Sequence, residues 1–225
     1  AGGPDPAFPA KAARARSRAH GALRHRPRRG TIDGRKNMVD AYMAALDVVG
    51  VVADTAEAFI RLCCEEYGYC SIRLEDITEF EVERCLDLEP GIVEAVFTRI
   101  LRNSVEVGLR PMPGAVQVLA ELTERAPVTV ITARPSPQPV RDWLDTVMPA
   151  PVSRRVAVVA MGAHDDKPRH IRRHGLDWFI DDRAETCFQL EEAGITPIIF
   201  SQPWNRGRHA FASVSTWEGT RALCR

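Results

Sequence analysis

Apolar residues along this chain gather in five short runs, and between the runs they recur every three or four positions. Short β-branched and aliphatic runs bounded by turn formers read as strands, and the longer periodic stretches read as helices. The first run, residues 44–52, carries a lone carboxylate, Asp47, into a break at Gly50. A helical pattern follows over residues 54–66, where Ala58, Phe59, Leu62 and Cys63 share one face and Asp54 or Thr55 can supply the N-cap. Residues 67–90 are acidic and rich in loop formers, and residues 91–102 are helical again. Pro113 and Gly114 open a helix over residues 115–125, ahead of a β-branched strand at residues 128–132 and a helix ending near Trp143. The later strands are expected at residues 156–159, 178–180 and 196–200, with an amphipathic helix over residues 184–193.

Strand and helix alternate, which predicts an α/β fold: a Rossmann-like parallel sheet of about five strands flanked by helices on both faces. About 55 mostly helical residues separate the first strand from the second, more than a parallel crossover needs. That excess predicts a small helical cap inserted after the first strand, over about residues 55–111. With 225 residues and 45% hydrophobic content, the chain can bury one sizeable core. It contains no apolar run near the roughly 20 residues that span a bilayer, so a soluble, cytoplasmic protein without a membrane partner is expected.

The zero net charge hides a division. Residues 1–37 carry a net charge of +8 and residues 38–225 a net charge of −8. The basic segment is rich in Ala, Arg, Pro and Gly and has no amphipathic period, a composition that does not order itself. It reads as an extension outside the fold, as an arm for a polyanion, or as a targeting peptide. Met38 just before the first strand favours the extension, and the acidic body disfavours a nucleic-acid partner. Residues 38–225 form the core with its cap. The six cysteines lack paired C-x-x-C spacing, and free thiols in a reducing compartment are expected, with a metal site among the four between 63 and 85 the lesser reading.

In open α/β sheets, ligands bind beyond the carboxyl ends of the strands. Here those ends offer Asp47, Thr132, Lys167 and the pair Asp181-Asp182. A carboxylate nucleophile needs its charge held and aimed, which a Mg2+ shared with other carboxylates does. A hydroxyl and an ammonium suit phosphoryl oxygens, whose transfer is catalysed mainly by positioning and charge. Each residue also has a bland use: Asp47 as a turn residue, Lys167 as a surface charge, Asp181-Asp182 as an N-cap. Arg134 reaches a phosphate or only begins a loop. Trp204 and Asn205 border a cleft or, more commonly for such residues, pack. His164, His170 and His174 read as surface residues.

Asp47-Val48-Val49-Gly50-Val51, Thr132, Lys167 and Asp181-Asp182, in that order, resemble the four motifs of the haloacid dehalogenase-like superfamily. Residues 50–54, 75–80, 131–135 and 202–205 are most similar to the type C 5′(3′)-deoxyribonucleotidases. The resemblance implies that Asp47 attacks phosphorus and forms an aspartyl-phosphate. It implies that Thr132 and Lys167 bind the phosphoryl oxygens, and Ala133, Arg134 and Phe80 join them as candidate substrate-binding residues. Asp181 and Asp182, the Asp47 carboxylate and the backbone carbonyl of Val49 would bind Mg2+, and Phe59, Tyr67 or Phe80 of the cap would stack on a base. A small phosphorylated substrate, a nucleoside monophosphate, follows; the sequence leaves monomer or homodimer open. Val49 departs from the pattern, which has an aspartate there to protonate the leaving group and activate water. Slowed hydrolysis, altered chemistry, or a binding protein that no longer turns over are the alternatives.

Overall fold

The computed structural model describes residues 45–89, 91–162 and 167–224; the basic segment and His164 lie outside them. Strand β1 (Ala45–Asp47) is short and fully buried, as a central strand covered on both faces must be. Helix α1 (Thr55–Tyr67) starts at Asp54, whose carboxylate accepts a hydrogen bond from the Glu57 amide, so of the two candidate caps the aspartate is used. Its buried face is Ala58, Phe59, Leu62 and Cys63, the face the periodicity predicts. Single 3-10 turns at Leu74–Asp76 and Val82–Arg84 interrupt the acidic stretch, and α2 (Ile92–Arg102) packs beside α1, with Phe59 stacked on Phe97 at 4.9 Å. Helix α3 (Ala115–Arg125) then leads to β2 (Val128–Thr132), α4 (Gln138–Val147), the short α5 (Ala150–Ser153) and β3 (Val156–Ala160). Helix α6 (Lys167–Arg173), β4 (Trp178–Asp181), α7 (Ala184–Glu192), β5 (Thr196–Phe200), β6 (Ala212–Val214) and α8 (Trp217–Leu223) complete the order.

The sheet is parallel throughout and ordered β3-β2-β1-β4-β5-β6. It has six strands rather than about five. The sixth is three residues long, two of them exposed, and edge strands of that kind carry too little hydrophobic pattern to be read from sequence. The chain order reverses across β1, which lies between β2 and β4, and at such a switch point strand ends converge on a crevice. In register, Asp47 stands opposite Ile131 of β2, and Leu46 opposite Ile180 of β4. The carboxyl ends of β1, β2 and β4 therefore lie side by side. Among the described residues, no helix is long and apolar enough to cross a membrane.

A second difference concerns the cysteines. Cys64 and Cys70 are joined by a disulfide, whereas Cys63, Cys85, Cys187 and Cys224 are free. Helix α1 ends at Gly68 with φ +77°, a left-handed turn that folds the chain back and brings Cys70 to Cys64. Spacing alone did not reveal the pair because the turn that creates it is set by the glycine, not by the cysteines.

Candidate active site

Asp47 ends β1 with 9% of its surface exposed, and the Val48 amide donates to its Oδ1 at 2.8 Å. Lys167, at the first turn of α6 and 3% exposed, lies with Nζ 3.2 Å from Asp47 Oδ2 and 2.5 Å from Asp181 Oδ2. The other oxygen of Asp181 accepts the Arg183 amide at 2.9 Å. Asp47, Asp181 and Asp182 are all buried, and each places an oxygen within 4.8 Å of the others. Burial raises the Asp47 pKa to about 6 against the pull of Lys167. Burial, then the charges of Asp181 and Asp47, push Asp182 well above the ordinary carboxylate value. Burial also works against the Lys167 charge, yet the two aspartates beside it win and raise its pKa. Three hard oxygen donors around a single ammonium are short of positive charge, and a small divalent cation fits that donor set.

The turn after Asp47 is held from three sides. The Val52 and Ala53 amides donate back to the Val48 carbonyl, and Gly50 takes φ +70°. Gln202 Nε2 donates to the Gly50 carbonyl and Trp217 Nε1 to the Val51 carbonyl, each at 2.9 Å. Asn205 Nδ2 donates to the carbonyls of Asp182 and Phe200 at 2.8 Å, tying the end of β4 to the end of β5. These buried partners satisfy backbone groups that a loop beside a site would otherwise orphan.

Above the carboxylates opens a cavity of about 680 Å3. The structure brings Asp47, Val49, Thr132, Ala133, Arg134, Lys167, Asp181 and Asp182 together along it, with Phe59, Phe80 and Trp204 on the walls. Trp204 thus borders the cavity as well as packing at 8% exposed, and Asn205 is a buried brace. Tyr67 points elsewhere: it is 41% exposed and does not line the cavity. His174 is exposed and His170 half-buried, and neither faces this space. Thr132 is 1% exposed, and its hydroxyl accepts the Arg134 amide at 3.4 Å. Arg134 does more than begin a loop: it is 6% exposed and its Nη1 donates to the Leu101 carbonyl and to Ser104 Oγ, both at 3.1 Å.

Three contributors were not read from sequence. Arg183 lies over the Phe80 ring at 4.8 Å and 3.5 Å from Glu81; its position directly after Asp181-Asp182 was the available signal. Gln202 and Ser104 act through bonds to residues far away in sequence, and no local pattern announces such bonds.

Residues 41–224 match the family described as 5′ nucleotidase, deoxy (pyrimidine), cytosolic type C protein. A candidate nucleotidase of Halalkalibacterium halodurans is 27% identical over 167 residues, 72% of this chain and 80% of that protein. Among solved structures, a haloacid dehalogenase-like family hydrolase of Streptococcus pneumoniae superposes with a TM-score of 0.53 at 15% identity, covering 80% of this chain and 97% of the other. A HAD-superfamily hydrolase of subfamily IA from Geobacter sulfurreducens gives 0.52 at 15% identity, with 82% and 96% covered. At these identities the structural likeness establishes the fold.

Proposed function

The chain belongs to the deoxy (pyrimidine) cytosolic type C 5′-nucleotidase family, and we propose that it is a Mg2+-dependent phosphohydrolase acting on a nucleoside monophosphate through Asp47. The observation that carries this reading is the set of three buried carboxylates within 4.8 Å, two of them bridged by Lys167, on the floor of a cavity large enough for a nucleotide. Asp47, Asp181, Asp182 and the Val49 carbonyl would hold the cation, which would offset the charge of the carboxylates and of the phosphoryl oxygens.

In this mechanism Asp47 attacks phosphorus, the bond to the ester oxygen breaks and the alcohol departs with a proton taken from solvent water, and an aspartyl-phosphate remains until a second water cleaves it, releasing phosphate and the Asp47 carboxylate. The Thr132 hydroxyl, the Ala133 backbone and the Lys167 ammonium hold phosphoryl oxygens. The helices and turns between β1 and α3 act as the cap, and the half-buried Phe80 offers a face for a base, whereas Phe59 is fully buried against Phe97. Val49 neither gives nor takes a proton. General acid–base assistance is worth roughly 10²–10⁴-fold, so hydrolysis of an alkyl ester is slowed by about that factor. A cytosolic location agrees with the family.

Val49 also favours a second reading, a nucleotide-binding protein that does not turn over. Hydrolysis of nucleoside monophosphates and an aryl phosphate, with Mg2+ and with chelator, separates the two. Turnover that needs Mg2+ and disappears in Asp47→Asn is expected, with Val49→Asp raising the nucleotide rate more than the aryl rate. Unchanged turnover in Asp47→Asn sinks the nucleophile. Nucleotide binding without any phosphorylated Asp47 leaves the second reading standing.

A further inference from the structure

Arg134 differs from the other buried cation at the site. Lys167 sits between two carboxylates, whereas among the described residues no carboxylate pairs with Arg134. One nitrogen of its guanidinium is fully used: Nη1 holds the Leu101 carbonyl near the end of α2 and Ser104 Oγ, and that hydroxyl donates onward to the Ile100 carbonyl at 2.8 Å. Nε and Nη2, the other edge, are buried and have no partner. Burial lowers the Arg134 pKa to about 10, with only the Asp47 charge working the other way. A guanidinium presents donors in a fixed fork that matches a phosphate oxygen pair, and an orphaned buried fork favours such a ligand strongly.

Resting on the phosphoryl site proposed above, we infer that Arg134 is a phosphate-contacting residue that couples phosphate binding to the seating of α2. Its open edge donates to an oxygen of a phosphate monoester or of free phosphate, while Nη1 keeps hold of Leu101 and Ser104. The open edge is shut off from solvent in this arrangement. The anion therefore reaches it when the inserted helices part from the sheet, and satisfies it when they return.

The test uses inorganic phosphate with Mg2+, binding measured by calorimetry and the exchange of α2 amides by mass spectrometry. In the wild-type chain, phosphate is expected to slow exchange over residues 92–104. Arg134→Gln should bind phosphate about 10- to 100-fold more weakly and lose that slowing even when saturated. Arg134→Lys should recover part of the affinity but not the slowing, because one ammonium does not serve both edges. Ser104→Ala leaves the guanidinium in place, and should bind within about threefold while slowing exchange less. Slowing retained at full strength in Arg134→Gln, or wild-type affinity there, overturns the coupling. Phosphate that binds the wild-type chain without altering α2 overturns the coupling and leaves the phosphoryl site; absence of phosphate binding overturns both.

Discussion

At Gly50 a methyl group would stand 2.1 Å from Asp182 Oδ2, and the backbone already holds φ +70°. Left-handed strain alone costs an L-residue about 1–2 kcal/mol. A chain of this size loses roughly 2–4 °C of Tm per kcal/mol. Gly50→Ala is therefore expected to melt at least several degrees lower and to lose any stabilisation by divalent cation, both read by calorimetric scans with and without Mg2+. Asn205→Ala leaves the buried carbonyls of Asp182 and Phe200 without a donor, a cost of about 1–3 kcal/mol, and the melting temperature should fall accordingly. A variant that melts like the wild-type chain would show that water replaces the amide. At this scale Asp47, Thr132 and Asp181-Asp182 were legible, because a polar residue closing an apolar run is visible in the run itself. Asn205 and Gln202 were visible only as residues; what they brace lies on other strands.

Between the two 3-10 turns, the acidic segment around residues 74–84 is fastened to the sheet side by arginines. Arg206 meets Glu75 at 2.6 Å, Arg208 meets Glu79 at 2.5 Å, and Arg183 covers Phe80 and meets Glu81. Surface ion pairs weaken as the Debye length shrinks to about 3 Å in 1 M salt. Amide exchange over this segment should therefore quicken in 1 M NaCl while the strands stay unchanged. Arg208 holds the Glu79 pKa below its ordinary 4.5, so this pair stabilises the fold above pH 4.5 and the contribution is lost as pH falls further. Exchange that is indifferent to salt and to acid would mean that Phe80 and its apolar neighbours hold the segment instead. The disulfide gives a sharper count. Unfolded without reductant, the chain should show four reactive thiols, and six after reduction. The strands and longer helices were predictable because each buries a periodic face. The edge strand β6 and the four-residue α5 were not, since each is too short to repeat its period and so shows no recurring face.

For the molecule as a whole, a cation that binds only the folded chain adds stability with the logarithm of its concentration. At about one hundred times its Kd the gain is about 2.7 kcal/mol. Mg2+ should thus raise the Tm by roughly 5–10 °C in the wild-type chain. Asp181→Asn should show little of that rise, and an equal rise would place the cation elsewhere. The sheet order was only partly legible: alternation predicts parallel strands, but which strand neighbours which is decided by crossovers that leave no mark on composition. That order carries a consequence for synthesis. Because β1 is flanked by β2 and β4, Asp47 emerges from the ribosome early but meets Asp181 only after more than half the chain has followed. A nascent chain stalled before β4 lacks Asp181 and Asp182, so the three-carboxylate cluster assembles only once β4 has been made.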